Sequence, residues 1–305
     1  MDKQRILSIT AIMTTTLFWG LSYSSTKTVL AVLSPAQIGF FRFLIAALIW
    51  NVICYKPTPI QPKLRKRVII AGLVGIPVYF LFENTGLTLT SAINGSLIIS
   101  TIPALNGLIG FCLLRERLPK QQLAGVLCSI LGVFAIILSQ TSGLNGNLLG
   151  NILMIGAACS WVVFTRINQP LVQELSTPIL MKWHSTIGAL AFALITFPEG
   201  RWQDISPADL TLNVWMHLLF LGIFCSAIAY VFYLFAQRNL GITATTTFLN
   251  TVPVFGVLGG YFLLNEKLTL LQFLGGLVVI FGVWLVTKEA KKREIEVQIA
   301  PSISH

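Results

Sequence analysis

TIPALNGLIGFCLLRERLPKQQLAGVLCSILGV, residues 101–133, and TVPVFGVLGGYFLLNEKLTLLQFLGGLVVIFGV, residues 251–283, are one pattern written twice, at a constant offset of 150 and without a gap. Fourteen of the 33 positions are identical, among them Pro103/Pro253, Gly110/Gly260, Glu116/Glu266, Gln122/Gln272, Gly125/Gly275 and Gly132/Gly282. Shared hydrophobicity can align two apolar segments by accident. It does not put Pro, Glu, Gln and three Gly in common register, so the chain reads as two homologous halves.

Working outward from the repeat, the chain is 55% hydrophobic and only 10% charged, with a mean hydropathy of +0.79. Soluble domains carry roughly 25% charged residues. Such a surface finds its solvent in lipid, and the fold class expected is an all-α integral membrane protein. Apolar spans run at about 6–26, 36–55, 68–88, 93–114, 122–139, 147–166, 179–198, 213–236, 243–264 and 270–287. Ten transmembrane helices are therefore expected, since roughly 20 residues cross a hydrocarbon core of about 30 Å. The first span follows Lys3 and Arg5 as a signal peptide would, but it is too long for one and lacks a small-residue cleavage site. The five cysteines all fall in apolar segments and read as small buried hydrophobes rather than disulfides or metal ligands.

With the N-terminus inside, the inner loops carry sixteen Lys/Arg and the outer ones three, Lys27, Arg201 and Lys267. Both termini are then cytoplasmic, in the plasma membrane. Basic residues in short loops account for the net charge of +10 better than a nucleic-acid partner does. Five spans per half is an odd number, so the halves should run in opposite directions. The loop KPTPIQPKLRKR (56–67) and its counterpart EGRWQDISPADL (199–210) differ in charge as that inversion requires. The expected organisation is 1–141 as a first five-helix repeat, 142–288 as a second, inverted one, and 289–305 as a cytoplasmic tail expected to be disordered. Inverted repeats recur in secondary transporters, where two related bundles rock about a shared site.

Phe18-Trp19-Gly20, Ser34-Pro35 followed by Arg42-Phe43 and Ala46-Ala47, and the twice-used Pro/Glu/Gly pattern resemble the EamA branch of the drug/metabolite transporter superfamily over roughly residues 6–287. The resemblance implies a secondary carrier with a central cavity lined by spans 1–4 and 6–9, spans 5 and 10 being peripheral supports. It also implies a small-molecule solute, commonly an amino acid or similar metabolite and commonly exported. Multidrug efflux or carriage of a sugar-like solute is the alternative within that fold. From other classes, a non-transporting membrane sensor or interaction protein lacks a signalling domain here, and an intramembrane enzyme lacks a visible nucleophile with its base. No Walker-type loop, HExxH or Cys-x-x-Cys pair is present, so no cofactor or metal is expected and the energy source would be a gradient, with protons the candidate coupling ion.

Ionisable groups inside spans are costly and mark candidates for function. Arg42 and Glu83 lie at similar depth near the outer ends of spans 2 and 3, where an ion pair could gate the outer side or simply order the two spans. His184 falls opposite Arg42 in the half-to-half alignment, while LFEN (81–84) against LFAQ (234–237) puts Ala236 opposite Glu83. His184 reads as a coupling group or as a hydrogen-bonded packing residue. Glu116 and Glu266, each at the end of a span beside basic residues, read as local caps or pairs. Arg166, Lys182 and Arg238, near span ends, read as snorkelling cations.

Uncharged polar and aromatic residues at membrane depth are the substrate-cavity candidates: Trp19, Tyr23, Tyr79, Asn84, Trp161, Tyr230, Asn250 and Thr251. Trp19 and Trp161 match across the halves at an offset of 142. Such groups suit a small zwitterion or an aromatic solute, or serve only as interhelical packing and hydrogen bonding. Pro103 and Pro253 are expected to kink spans 4 and 9 at equal depth, whereas Pro77 has no evident partner. Gly125/Gly132 and Gly275/Gly282, seven residues apart, are expected to line close-packing faces.

Overall fold

A computed structural model describes residues 3–56, 59–114, 119–138, 144–206, 208–241, 245 and 248–299, and among these every regular element is helical. The main helices are α1 (Lys3–Val29), α2 (Pro35–Ile53), α3 (Pro62–Leu89), α4 (Ala92–Ile99), α5 (Ile102–Leu114), α6 (Lys120–Leu138), α7 (Leu144–Glu174), α8 (Thr177–Glu199), α9 (Leu212–Leu240), α10 (Val252–Leu264) and α11 (Leu270–Ile299). Seven of them, α1, α2, α3, α6, α7, α8 and α9, are long and apolar enough to cross a membrane. The pair α4 and α5, bent by 44° at its break, makes an eighth if taken as one span. The apolar helices Leu249–Leu264 and Leu270–Val286 are shorter, at 10–17 residues.

Helix starts follow from local chemistry. At the head of α2, the Ser34 hydroxyl accepts from the Gln37 N–H and the Gln37 side chain accepts from the Ser34 N–H, with Pro35 in the first turn, where its missing N–H costs nothing. Thr269 and Gln272 repeat the same reciprocal box at the head of α11. Pro103 and Pro253 do not kink continuous helices as expected. Each is the second residue of a new helix, after the break at Ser100–Thr101 and after the 3-10 turn Leu249–Thr251. A proline is stable there because the first turn has no carbonyl partner for its nitrogen.

Both α3 and α9 contain a π-helical stretch, Val74–Val78 and Phe220–Ile228. Pro77 sits within the first; the second forms without any proline. Such turns are common at functional sites. Here Tyr79 follows the first stretch directly and Tyr230 follows the second after Ala229.

The most intimate contact is between α6 and α11. A Cβ added to Gly125 would lie 2.5 Å from the Gly282 carbonyl, and one added to Gly132 would lie 2.6 Å from that of Gly275, with both relations reciprocated. The lower number on one helix meets the higher on the other, so these two matched helices cross antiparallel. Their remaining faces carry Leu127, Leu131, Phe134, Leu274, Leu277 and Phe281 outward, as a lipid-facing surface would. Elsewhere α1 packs on α9 and α10, α2 on α8, α3 on α7, and α4 on α7 and α10, so the core lies between elements from before and after residue 144. The five cysteines are free; Cys225 is buried, Cys112 is exposed and the rest are half-buried. Only Cys225 fits the buried expectation, because an apolar segment in lipid has an outward face as well.

Candidate functional site

Two tryptophans hold the centre. Gly20 lets α10 approach α1 closely, since a Cβ there would meet the Val252 carbonyl at 2.7 Å. Trp19, one residue earlier, then meets Trp161 of α7 edge to face, with ring centroids 5.2 Å apart. Tyr230 and Tyr233 of α9 lie against both rings, at 5.3 to 5.9 Å, and Tyr79 lies 5.3 Å from Trp161. Each such pair contributes about 0.5–1.5 kcal/mol beyond area burial. The Trp19 indole N–H donates to the Cys225 carbonyl at 3.0 Å, whereas the buried Trp161 N–H has no partner.

Beside this cluster is a cavity of about 40 Å³, room for only a few waters. Trp19, Tyr23, Tyr79, Trp161, Tyr230 and Pro103 line it, together with Arg42 and Glu83. Arg42 and Glu83, expected to pair, share the cavity without an ion pair. The Arg42 Nε donates to the Ser226 hydroxyl at 2.6 Å, and its guanidinium lies 4.3 Å over the Phe80 ring, an attraction of about 2 kcal/mol when desolvated. The Glu83 carboxylate accepts from the Tyr79 hydroxyl at 2.5 Å, and the Tyr23 hydroxyl interacts in turn with Tyr79. The two charges are held apart because each already has a separate tether.

The other candidates lie elsewhere. Asn84 donates to the Pro35 carbonyl at 2.9 Å and ties α3 to the head of α2. Asn250 and Thr251 belong to the 3-10 turn before α10, where the Thr251 hydroxyl donates back to the Phe248 carbonyl. Pro253 is buried but outside the lining. His184 is 0% exposed in α8, edge-on to Phe164 at 5.7 Å, and neither ring nitrogen has a partner. It packs on Phe164 without the hydrogen bond expected of a packing histidine.

The peripheral charges bind backbone. Glu266 does cap a helix, though not its own turn: it accepts from the Ala92 and Ile93 N–H groups at 2.9 and 3.0 Å, at the head of α4. Glu116 lies outside the described residues. Near Glu266, Lys27 donates to the Leu87 and Thr90 carbonyls at the end of α3, and a buried chain runs from Gln272 to Asn94 to Thr90 to Asn151. Instead of snorkelling freely, Arg166 donates to Asn106, Lys182 to the Cys54 carbonyl, and Arg238 to the Val172 and Leu175 carbonyls.

Ser22, Phe80, Ser226, Leu249 and Val252 belong to the site and were missed by sequence reasoning. Ser22 follows Trp19 by one helical turn, a spacing that could have found it. Nothing local distinguishes Ser226, because its role depends on which helix brings a cation to it.

The chain's likenesses to known proteins are consistent along its length. The family model described as EamA-like transporter family matches twice, over residues 6–138 and 148–288. An uncharacterized transporter of Archaeoglobus fulgidus is 30% identical over 90% of this chain and 94% of its own length. The Bacillus subtilis uncharacterized transporter YyaM is 25% identical over 88% of this chain and 89% of its own. A crystal structure 19% identical in sequence superimposes with a TM-score of 0.63 over 95% of this chain and 98% of its own, a likeness of fold alone.

Proposed function

Taking as premise that the chain belongs to the EamA-like transporter family of the drug/metabolite transporter superfamily, we propose that it is a secondary transporter moving a small organic metabolite, an amino acid or similar, outward across the plasma membrane by alternating access. In this reading the chain crosses ten times, as two inverted five-helix repeats, 1–141 and 142–288, followed by a cytoplasmic tail. The paired family matches, the antiparallel glycine crossing of α6 on α11 and the equivalent breaks at Pro103 and Pro253 support the inversion. The Lys/Arg asymmetry, sixteen against three, supports cytoplasmic termini.

The observation that carries the reading is the cavity itself. It lies where α1, α2, α3, the end of α4 and α5 meet α7, α9 and the head of α10, and it holds a buried cation and a buried carboxylate that do not form an ion pair. At about 40 Å³ it has no room for a metabolite, so it corresponds to a closed arrangement. Solute enters when the elements after residue 144 tilt against those before it, opening one end of the bundle at a time. The Lys27–Thr90–Asn151 and Glu266–α4 contacts close the end expected to face outward.

Reconstitution tests this directly. Proteoliposomes loaded with unlabelled amino acids should take up the labelled species by counterflow, and an imposed pH gradient should drive net accumulation if protons are coupled. A chain that gives no flux of any solute above empty liposomes is not a carrier.

A further inference from the structure

The cavity contains a charge arrangement that the fold leaves incomplete. Arg42 is 1% exposed, and its Nη1 is buried with no protein partner. Two more groups of the same lining, the Trp161 indole N–H and the Tyr230 hydroxyl, are also buried and unpartnered. Donors at a buried cation that the protein leaves unmet draw their partners from the cavity itself, water or solute. Such a set persists where something else completes it. Its chemistry is that of a carboxylate site: a guanidinium nitrogen and an indole N–H both donate, and a carboxylate offers acceptors enough for both.

Glu83, 3% exposed and tethered to Tyr79, is the second half of the arrangement. A simple anion bound at Arg42 would leave the site with an excess negative charge beside Glu83. A simple cation bound at Glu83 would leave an excess positive charge beside Arg42. A solute carrying both charges leaves the site neutral overall and gives each buried group its counter-ion. We infer that the cavity recognises a zwitterion, its carboxylate read by Arg42 and Trp161, its ammonium by Glu83, and its apolar remainder by the Trp19 and Tyr230 rings. This inference rests on the transporter reading of the same cavity. It adds which end of the solute each residue reads, and it explains why the Arg42 and Glu83 tethers keep the pair open: a closed ion pair would exclude the solute.

Four matched probes test it with the full-length protein in proteoliposomes: leucine, leucinamide (no carboxylate), N-acetyl-leucine (no ammonium) and glucose (neither charge). Each competes against counterflow of every labelled member of the set. Leucine is expected to compete about tenfold or more better than either charge-deleted analogue, each of which leaves one buried charge unpaired. Arg42→Gln should erase the discrimination against leucinamide while keeping that against N-acetyl-leucine, and Glu83→Gln should do the reverse. Should one variant fail to fold, as judged by monodisperse elution in detergent, the other still separates the two ends. Wild-type protein that moves leucinamide, N-acetyl-leucine or glucose as well as leucine overturns the zwitterion assignment and leaves the carrier standing. Unchanged discrimination in either folded variant also overturns it. Absence of flux for leucine and for all three analogues overturns the zwitterion assignment, while the carrier reading falls only if the wider solute panel also gives no flux.

Discussion

The stretch before residue 139 and the stretch after 143 share a scaffold but not a chemistry. Trp19 meets Trp161, α3 and α9 each contain a π stretch, the breaks at Pro103 and Pro253 coincide, and Gly125/Gly132 lock onto Gly282/Gly275. The charges do not follow. Arg42 lines the cavity, whereas His184, its counterpart in alignment, is packed against Phe164 away from it; Glu83 faces Ala236 across the alignment. Scaffold features recur on both sides of residue 144, and the buried charges that line the cavity stand on one side only. In the proposed carrier one Arg–Glu set suffices for one solute, and a second would bury two more charges that no solute group meets.

The sharpest way to break the comparison is to delete each half's candidate. Arg42→Met should weaken counterflow of a zwitterionic solute by about 2–3 kcal/mol, on the order of 100-fold, by removing charge-assisted hydrogen bonds. His184→Leu should leave the half-saturation constant unchanged and raise the melting temperature, since two buried ring nitrogens without partners cost more than a leucine of similar size. Equal loss of transport in both variants would mean that the halves are not functionally unequal.

The scaffold's symmetry is tested at the glycine crossing. Gly125→Leu on α6 and Gly275→Leu on α11 should each lower stability by about 1–3 kcal/mol, because either side chain drives into the opposing helix backbone. Thermal melting in detergent reads the effect. A large loss in one and none in the other would show that the two helices are not equivalent supports.

How much of this was legible beforehand follows from what each feature depends on. The Gly125/Gly275 pattern and the Trp19/Trp161 match repeat along the chain, so a single sequence reveals them. The breaks at Pro103 and Pro253 were legible in place but not in kind, since a proline inside an apolar run reads the same whether it bends a helix or starts one. The separation of Arg42 from Glu83 was not legible, because it depends on Ser226, some 184 positions away, reaching one charge while Tyr79 holds the other. Asn84, Asn250 and Thr251 have the residue types that line cavities, yet each serves or lies in a turn or helix-end contact whose geometry has no linear signature.

Glu266 gives a smaller test. It joins the segment between α10 and α11 to the head of α4 through two N–H groups, so Glu266→Gln, which keeps one acceptor and loses the charge, should cost about 1 kcal/mol. Hydrogen exchange should quicken at the Ala92 and Ile93 amides before it does elsewhere in the bundle. Unchanged protection there would mean that the carboxylate does not hold this end closed.

The finest distinction lies within the matched tryptophans. Phe in place of either ring weakens the contacts with Tyr230 and Tyr233, and at Trp161 also those with Tyr79 and Phe164. The two rings differ as well at the indole N–H. Trp19 spends its N–H on the Cys225 carbonyl, a bond within the fold, while Trp161 leaves its N–H unmet beside the cavity. Trp19→Phe should therefore lose in thermal melting, besides its ring contacts, the worth of one hydrogen bond, about 0.5–1.5 kcal/mol. Trp161→Phe should in turn lose solute affinity by a similar amount, a cost absent from Trp19→Phe. If both variants lose stability and affinity in step, the two tryptophans have the same role, and the division of labour between the copies is confined to Arg42 and Glu83.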